Sequence, residues 1–132
     1  MEKTFIKERN MSFLKTCVQL SESGHYGSVS QVVTEALKRG PREYYVDYEH
    51  AYKRLLSLRK KDTVPRETER DMFWAELLEK VQARQQQRPG LSLSAALSYV
   101  LAYQHPGRYF IEPLRALNLI KKYCRVNLVI SC

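Results

Sequence analysis

Apolar residues recur along this chain at three- and four-residue intervals in six stretches, each closed by glycine, proline or a polar run. Ile6, Phe13, Cys17 and Leu20, with Phe5, Leu14 and Val18 beside them, predict one amphipathic helix from about Glu2 to Ser21. A strand over residues 3–7 followed by a shorter helix fits the same residues. Two glycines, Gly24 and Gly27, break this segment. A second helix opens on Ser28 as cap, with Gln31 placed to close a capping box and Val29, Val32, Val33, Ala36 and Leu37 as its buried stripe. Gly40 and Pro41 end it. Asp47 caps a third helix to about Arg59, carrying Ala51, Tyr52, Leu55, Leu56 and Leu58 inward. The polar run from Lys60 to Arg66, with Pro65, is a linker. A long helix from about Glu67 to Gln87 follows, with Phe73, Trp74, Leu77, Leu78 and Val81 at helical spacing and Pro89-Gly90 as its stop.

The chain then repeats itself. Ser92, Leu93, Ser94, Leu97, Val100 and Leu101 follow the order of Ser28, Val29, Ser30, Val33, Ala36 and Leu37. Pro106-Gly107-Arg108-Tyr109-Phe110-Ile111-Glu112 restates Pro41-Arg42-Glu43-Tyr44-Tyr45-Val46-Asp47, 65 positions on from 41 to 106. A last helix opens on Glu112 as cap and Pro113 in its first turn, with Ala116, Leu117, Leu119 and Ile120 repeating the stripe led by Ala51. The expected fold is therefore all-α and one domain of residues 1–132. It comprises two helix-bridge-helix repeats, about 28–59 and 92–124, joined by a linker and central helix over 60–90. Each bridge is extended and too short for a full strand. Pairing of the two would give at most a minimal two-stranded ribbon in which Tyr44 or Tyr45, and Tyr109 or Phe110, is buried while its neighbour faces out. The β-prone stretch Val126 to Ile130 has no counterpart in the first copy.

Composition narrows the class. The hydrophobic share of 44% suffices for a modest core. No run approaches the ~20 apolar residues of a membrane-spanning helix, and the first residues lead into mixed charge rather than a signal peptide, so a cytoplasmic protein without a membrane partner is expected. Cys17, Cys124 and Cys132 are odd in number and form no Cys-x-x-Cys. That pattern argues against a disulfide framework or a zinc site, with Cys17 expected in the core and the other two as tail thiols.

Charge changes the picture more. Up to Glu79 there are 14 basic against 13 acidic residues, whereas from Lys80 onward eight basic residues face Glu112 alone. The net charge of +8 is thus concentrated late in the chain. Such a distribution suits a polyanionic partner, DNA or RNA, with Lys53, Arg54, Arg59, Lys60, Lys61, Arg108, Arg115, Lys121, Lys122 and Arg125 as candidate phosphate contacts. In the bridges, Arg42 beside Tyr44 and Tyr45, and Arg108 beside Tyr109 and Phe110, pair a cation with aromatic faces that can stack on bases. The same exposed tyrosines and arginines would serve a protein-interaction adaptor.

Catalytic chemistry has little support in the residues. His25, His50 and His105 stand far apart with no metal-ligand spacing, so no metal or other cofactor is expected. Ser28, Ser30, Ser92 and Ser94 lie at helix starts, where caps need hydroxyls, and no base is indicated beside them. The chain therefore reads as a binding protein rather than an enzyme.

Two resemblances add to this. From Tyr26 to about Tyr123 the chain resembles a family of small helical proteins of Bacteroides-type bacteria, through Pro41 to Val46, Met72 to Leu78 and Pro106 to Ile111. That resemblance implies an all-α fold and carries no established activity. Locally, Gly24-His25-Tyr26-Gly27-Ser28-Val29-Ser30 and the residues to Lys38 are similar to the opening of the second helix in ParD-type ribbon-helix-helix antitoxins. In those proteins a preceding strand pairs with its twin in a dimer and enters the DNA major groove. Here the segment from Phe5 to Leu20 has helical spacing, and the second copy lacks Gly-x-Tyr. An antitoxin-like strand would require a homodimer, whereas an internal repeat supplies the same symmetry within a monomer.

Overall fold

A computed structural model describes residues 2–127, with side chains from residue 5 to 125. Six helices follow one another: α1 (Glu2–Glu22), α2 (Val29–Arg39), α3 (Tyr48–Leu58), α4 (Glu69–Gln87), α5 (Leu93–Tyr103) and α6 (Pro113–Asn127). The all-α expectation holds, and no strand occurs among the described residues. Residues 3–7 belong to α1. Helix α6 runs on to Asn127, so Val126 is helical, while residues 128–132 lie outside the described residues.

Local chemistry sets the helix ends. The Ser28 hydroxyl accepts from the Gln31 N–H at 3.2 Å, and the Gln31 side chain reaches back to the Gly27 N–H at 2.7 Å, one residue before the cap itself. Asp47 caps α3 through the His50 N–H, Ser92 caps α5 through the Ala95 N–H, and Glu112 caps α6 through the Arg115 N–H. Helix α4 starts two residues later than its pattern suggests because Thr68 and Asp71 form a reciprocal capping box.

Packing divides the helices into two groups. Helices α1, α2 and α6 enclose one cluster, with Phe13, Cys17, Val33, Ala36, Ile120 and Cys124 inside. Helices α3, α4 and α5 enclose the other, around Leu55, Leu77, Leu78, Val81 and Leu97. Each large side chain withdrawn from water here stabilises the fold by about 1.5–3 kcal/mol. Cys124 is only 3% exposed, a core residue of the first group rather than a tail thiol.

The grouping revises the expected layout. The helix-bridge-helix segments do not fold back on themselves: α2 and α3 lie in different groups, and so do α5 and α6. Among the described residues α4 packs against the helices α3 and α5 and no others. Each bridge instead carries the chain from one core to the other. The first delivers Tyr44 and Val46 to the α3–α4–α5 cluster, and the second delivers Tyr109 and Ile111 to the α1–α2–α6 cluster.

The bridges cross in close contact rather than pairing as a ribbon. The Tyr109 N–H donates to the Leu37 carbonyl at 2.9 Å, satisfying an acceptor in the last turn of α2. Gly40 lies directly against the second bridge, in a conformation (φ 71°, ψ 165°) open essentially to glycine alone.

Candidate functional site

Alternation along each extended bridge sorts its aromatic pair. Tyr44 and Tyr109 are buried, at 6% and 1% exposure, while Tyr45 and Phe110 are half-buried. This is the division expected from period-two geometry. The two buried tyrosines are anchored on different helices. Tyr109 shares a 2.5 Å hydrogen bond with Ser12 of α1 and stacks edge-on against Phe13 at 5.5 Å. Tyr44 donates to Glu76 of α4 at 3.1 Å. Burial, with the Glu76 charge and hydrogen bond added, raises the Tyr44 phenol well above its ordinary value. Burial alone pushes the Cys17 thiol up to about 12.

Tyr45 and Phe110 line one cleft of about 530 Å³ at the crossing, closed by Phe73 and Trp74 of α4 and by Phe5 and Ile6 of α1. Pro41 and Pro106 also line it. Phe73 stands edge-on to Phe110 at 5.9 Å and to Trp74 at 5.1 Å. Charged residues line the cleft as well, Arg9, Arg70, Arg108 and Arg115 with Glu67, Glu69 and Glu112. The site thus combines aromatic and charged lining residues.

The ten candidate phosphate contacts separate into distinct sets. Lys53 and Arg54 lie on α3, Arg59 is its C-cap, and Lys60 and Lys61 occupy the turn beyond. Arg108 stands in the cleft with its guanidinium 4.4 Å over the Phe110 ring, and it holds both carboxylate oxygens of Glu69. Its charge is already matched within the chain. Arg115, Lys121, Lys122 and Arg125 are all exposed on α6. At ~100° per residue, 115, 122 and 125 fall within about 80° of arc and 121 about 40° further, opposite buried Ala116, Ile120 and Cys124. The α6 sequence contains no acidic residue. The early set lies on and just beyond α3 and the late set on α6, helices of different packing groups.

Other late cations are engaged internally as well. Lys80 pairs with Glu76 at 3.4 Å, bonds the His105 carbonyl and sits 5.4 Å over the Tyr44 ring. The Arg84 guanidinium stacks 3.5 Å over Tyr99. Two features escape the sequence pattern: Glu76, which accepts from Tyr44 and from the Gly107 N–H at 3.2 Å, and the part of Phe73 and Trp74 in the cleft. Their helical spacing marks them only as apolar. Ser28 and Ser92 serve their caps, and Ser94 bonds the Tyr48 hydroxyl. His50 packs on Trp74 at 5.4 Å. Among the described residues, no three His, Cys, Asp or Glu side chains come together in a way that could hold a metal ion, and no helix is long and apolar enough to cross a membrane.

Comparison with protein-family models, with curated proteins and with solved structures finds no match for this chain.

Proposed function

We propose that this chain is a nucleic-acid-binding module that acts through the exposed face of α6 and performs no chemistry on its ligand. The observation that carries this reading is the stripe of Arg115, Lys121, Lys122 and Arg125, exposed on a helix without a carboxylate, in a chain of net charge +8. Arg39, Arg66, Lys80 and Arg108 are held in internal ion pairs, whereas Arg115, Lys122 and Arg125, with Lys121 beside them, share one exposed helix face. Binding would proceed by neutralising phosphates and releasing their counterions. Four contacts correspond to a slope of log affinity on log salt of roughly −3 to −4. Fluorescence anisotropy with a labelled oligonucleotide across a salt series tests this. Binding that is undetectable at low salt, or equal at low and high salt, would overturn it.

The internal repeat belongs to the same proposal, in a longer form than the sequence suggests. Units of α1–α2–bridge–α3 and α4–α5–bridge–α6 are supported by buried pairs 64 residues apart, Phe13 with Leu77 and Cys17 with Val81. Ser12 and Glu76, again 64 apart, each receive the buried tyrosine of a bridge. In this reading each unit gives its third helix to the other's core, an exchange within one chain that resembles a fused dimer.

A further inference from the structure

The aromatic cleft and the basic stripe meet at one residue. Arg115 lines the cleft and also begins the exposed face that continues to Lys122 and Arg125. With a rise of ~1.5 Å per residue, these two cations stand roughly 10 and 15 Å further along α6. A phosphate backbone following the helix is thereby led to the cleft.

What the cleft can accept is limited by its walls. Tyr45, Phe73 and Phe110 are half-buried and offer aromatic surface, with the buried Trp74 behind them, in a space of about 530 Å³, within the range of ~300–1,000 Å³ typical of small-molecule sites. A duplex keeps its bases stacked inside and has none to insert, whereas an unpaired strand can turn a base outward onto aromatic side chains. Arg108, fixed over Phe110 by Glu69, already shows a planar cation resting on one of these rings.

We propose that the cleft receives one unpaired base of a single-stranded nucleic acid whose phosphates track along α6 from Arg115. This rests on the nucleic-acid reading of α6 and adds the ligand class: single strands in preference to duplex, recognised through a base rather than by charge alone.

The test uses the full chain, a labelled single-stranded oligonucleotide, the same strand with abasic positions, and its duplex. Trp74 is the chain's one tryptophan, so its fluorescence reports on the cleft directly. The single strand should bind about tenfold more tightly than either the abasic strand or the duplex and should quench Trp74. Phe110→Leu keeps apolar volume but removes the ring, and should lose about tenfold on single strands with the salt slope unchanged. Tyr45→Leu provides a second variant, and circular dichroism selects whichever retains native helicity. Equal affinity for the three ligands, or no effect of a folded cleft variant, overturns the cleft assignment and leaves the α6 reading standing. Loss of all binding in the wild type overturns both. Lys121→Glu with Lys122→Glu should weaken all three ligands together, which separates the stripe from the cleft.

Discussion

The Tyr44 hydroxyl donates to Glu76 at 3.1 Å, and the same carboxylate accepts the Gly107 N–H at 3.2 Å. One side chain of α4 therefore holds the first bridge through a phenol and the second through a backbone amide. The two crossings between cores are tied at a common acceptor, which makes the cleft between them a shaped site on a fixed frame.

Removing that acceptor should cost more than removing its donor. Glu76→Ala leaves the Tyr44 hydroxyl inside the core without its partner, so a loss of about 2–3 kcal/mol is expected, against about 1 kcal/mol for Tyr44→Phe. The double variant should be less destabilised than the sum of the two, because the stranded hydroxyl is gone. Urea denaturation of the four proteins measures the cycle. Strict additivity would show that the bond contributes nothing.

Gly40 should tolerate no side chain. An added Cβ would meet the Arg108 Cα and N and the Pro106 carbonyl, all at 3.0 Å, on a backbone already at φ 71°. Those neighbours are backbone atoms and cannot swing away. Gly40→Ala should destabilise by about 3 kcal/mol, whereas Gly24→Ala, with a similar φ of 75° but open space around it, should lose only about 1 kcal/mol. Thermal unfolding of both compares crowding with conformation alone, and equal losses would mean the bridges do not cross this closely in solution.

Alkaline pH should erode stability in two stages. Cys17 has its folded pKa raised from 9.0 to about 12, so its contribution is complete below pH ~9 and is lost as pH rises towards 12. Tyr44 is also raised, from 10.0, and its contribution declines above pH ~10. Each group can add a slope of up to about 1.4 kcal/mol per pH unit in its window. Unfolding free energies from pH 8 to 11 should fall less steeply from pH ~9 in Cys17→Ala and from pH ~10 in Tyr44→Phe. Slopes identical to wild type in both variants would contradict this.

What the sequence makes legible here is local. Ser28, Asp47, Ser92 and Glu112 announce their helices because a cap bonds an amide three residues away, and the alternation of Tyr44-Tyr45-Val46 and Tyr109-Phe110-Ile111 says that one aromatic of each pair turns inward, though not which. The pairing of helices is not local. An amphipathic α3 offers the same apolar stripe to α2 or to α4 and α5, so its pattern is satisfied by a unit closed on itself as well as by the exchange observed. Arg108 illustrates the same limit at the site: its partner Glu69 is 39 residues earlier in the chain, and neither segment carries a mark of the other. The late excess of positive charge is visible in composition, but which cations remain for a ligand depends on tertiary contacts.

That distinction separates the candidate cations by experiment. Arg108 is matched by Glu69 and positioned over Phe110, so Arg108→Ala should change the salt slope of oligonucleotide binding little. Its pair is partly exposed, and the stability lost with it should stay within about 1 kcal/mol. Lys122→Ala, from the α6 stripe, should instead reduce the slope by about one. Lys60→Ala with Lys61→Ala, in the turn after α3 and thus on the other helix group, should alter affinity less than the single Lys122 change. Anisotropy titrations at several salt concentrations rank the three. If Arg108→Ala or the Lys60 and Lys61 pair flattens the slope as much as Lys122→Ala does, the ligand is not following α6, and the polyanion surface must extend across both helix groups.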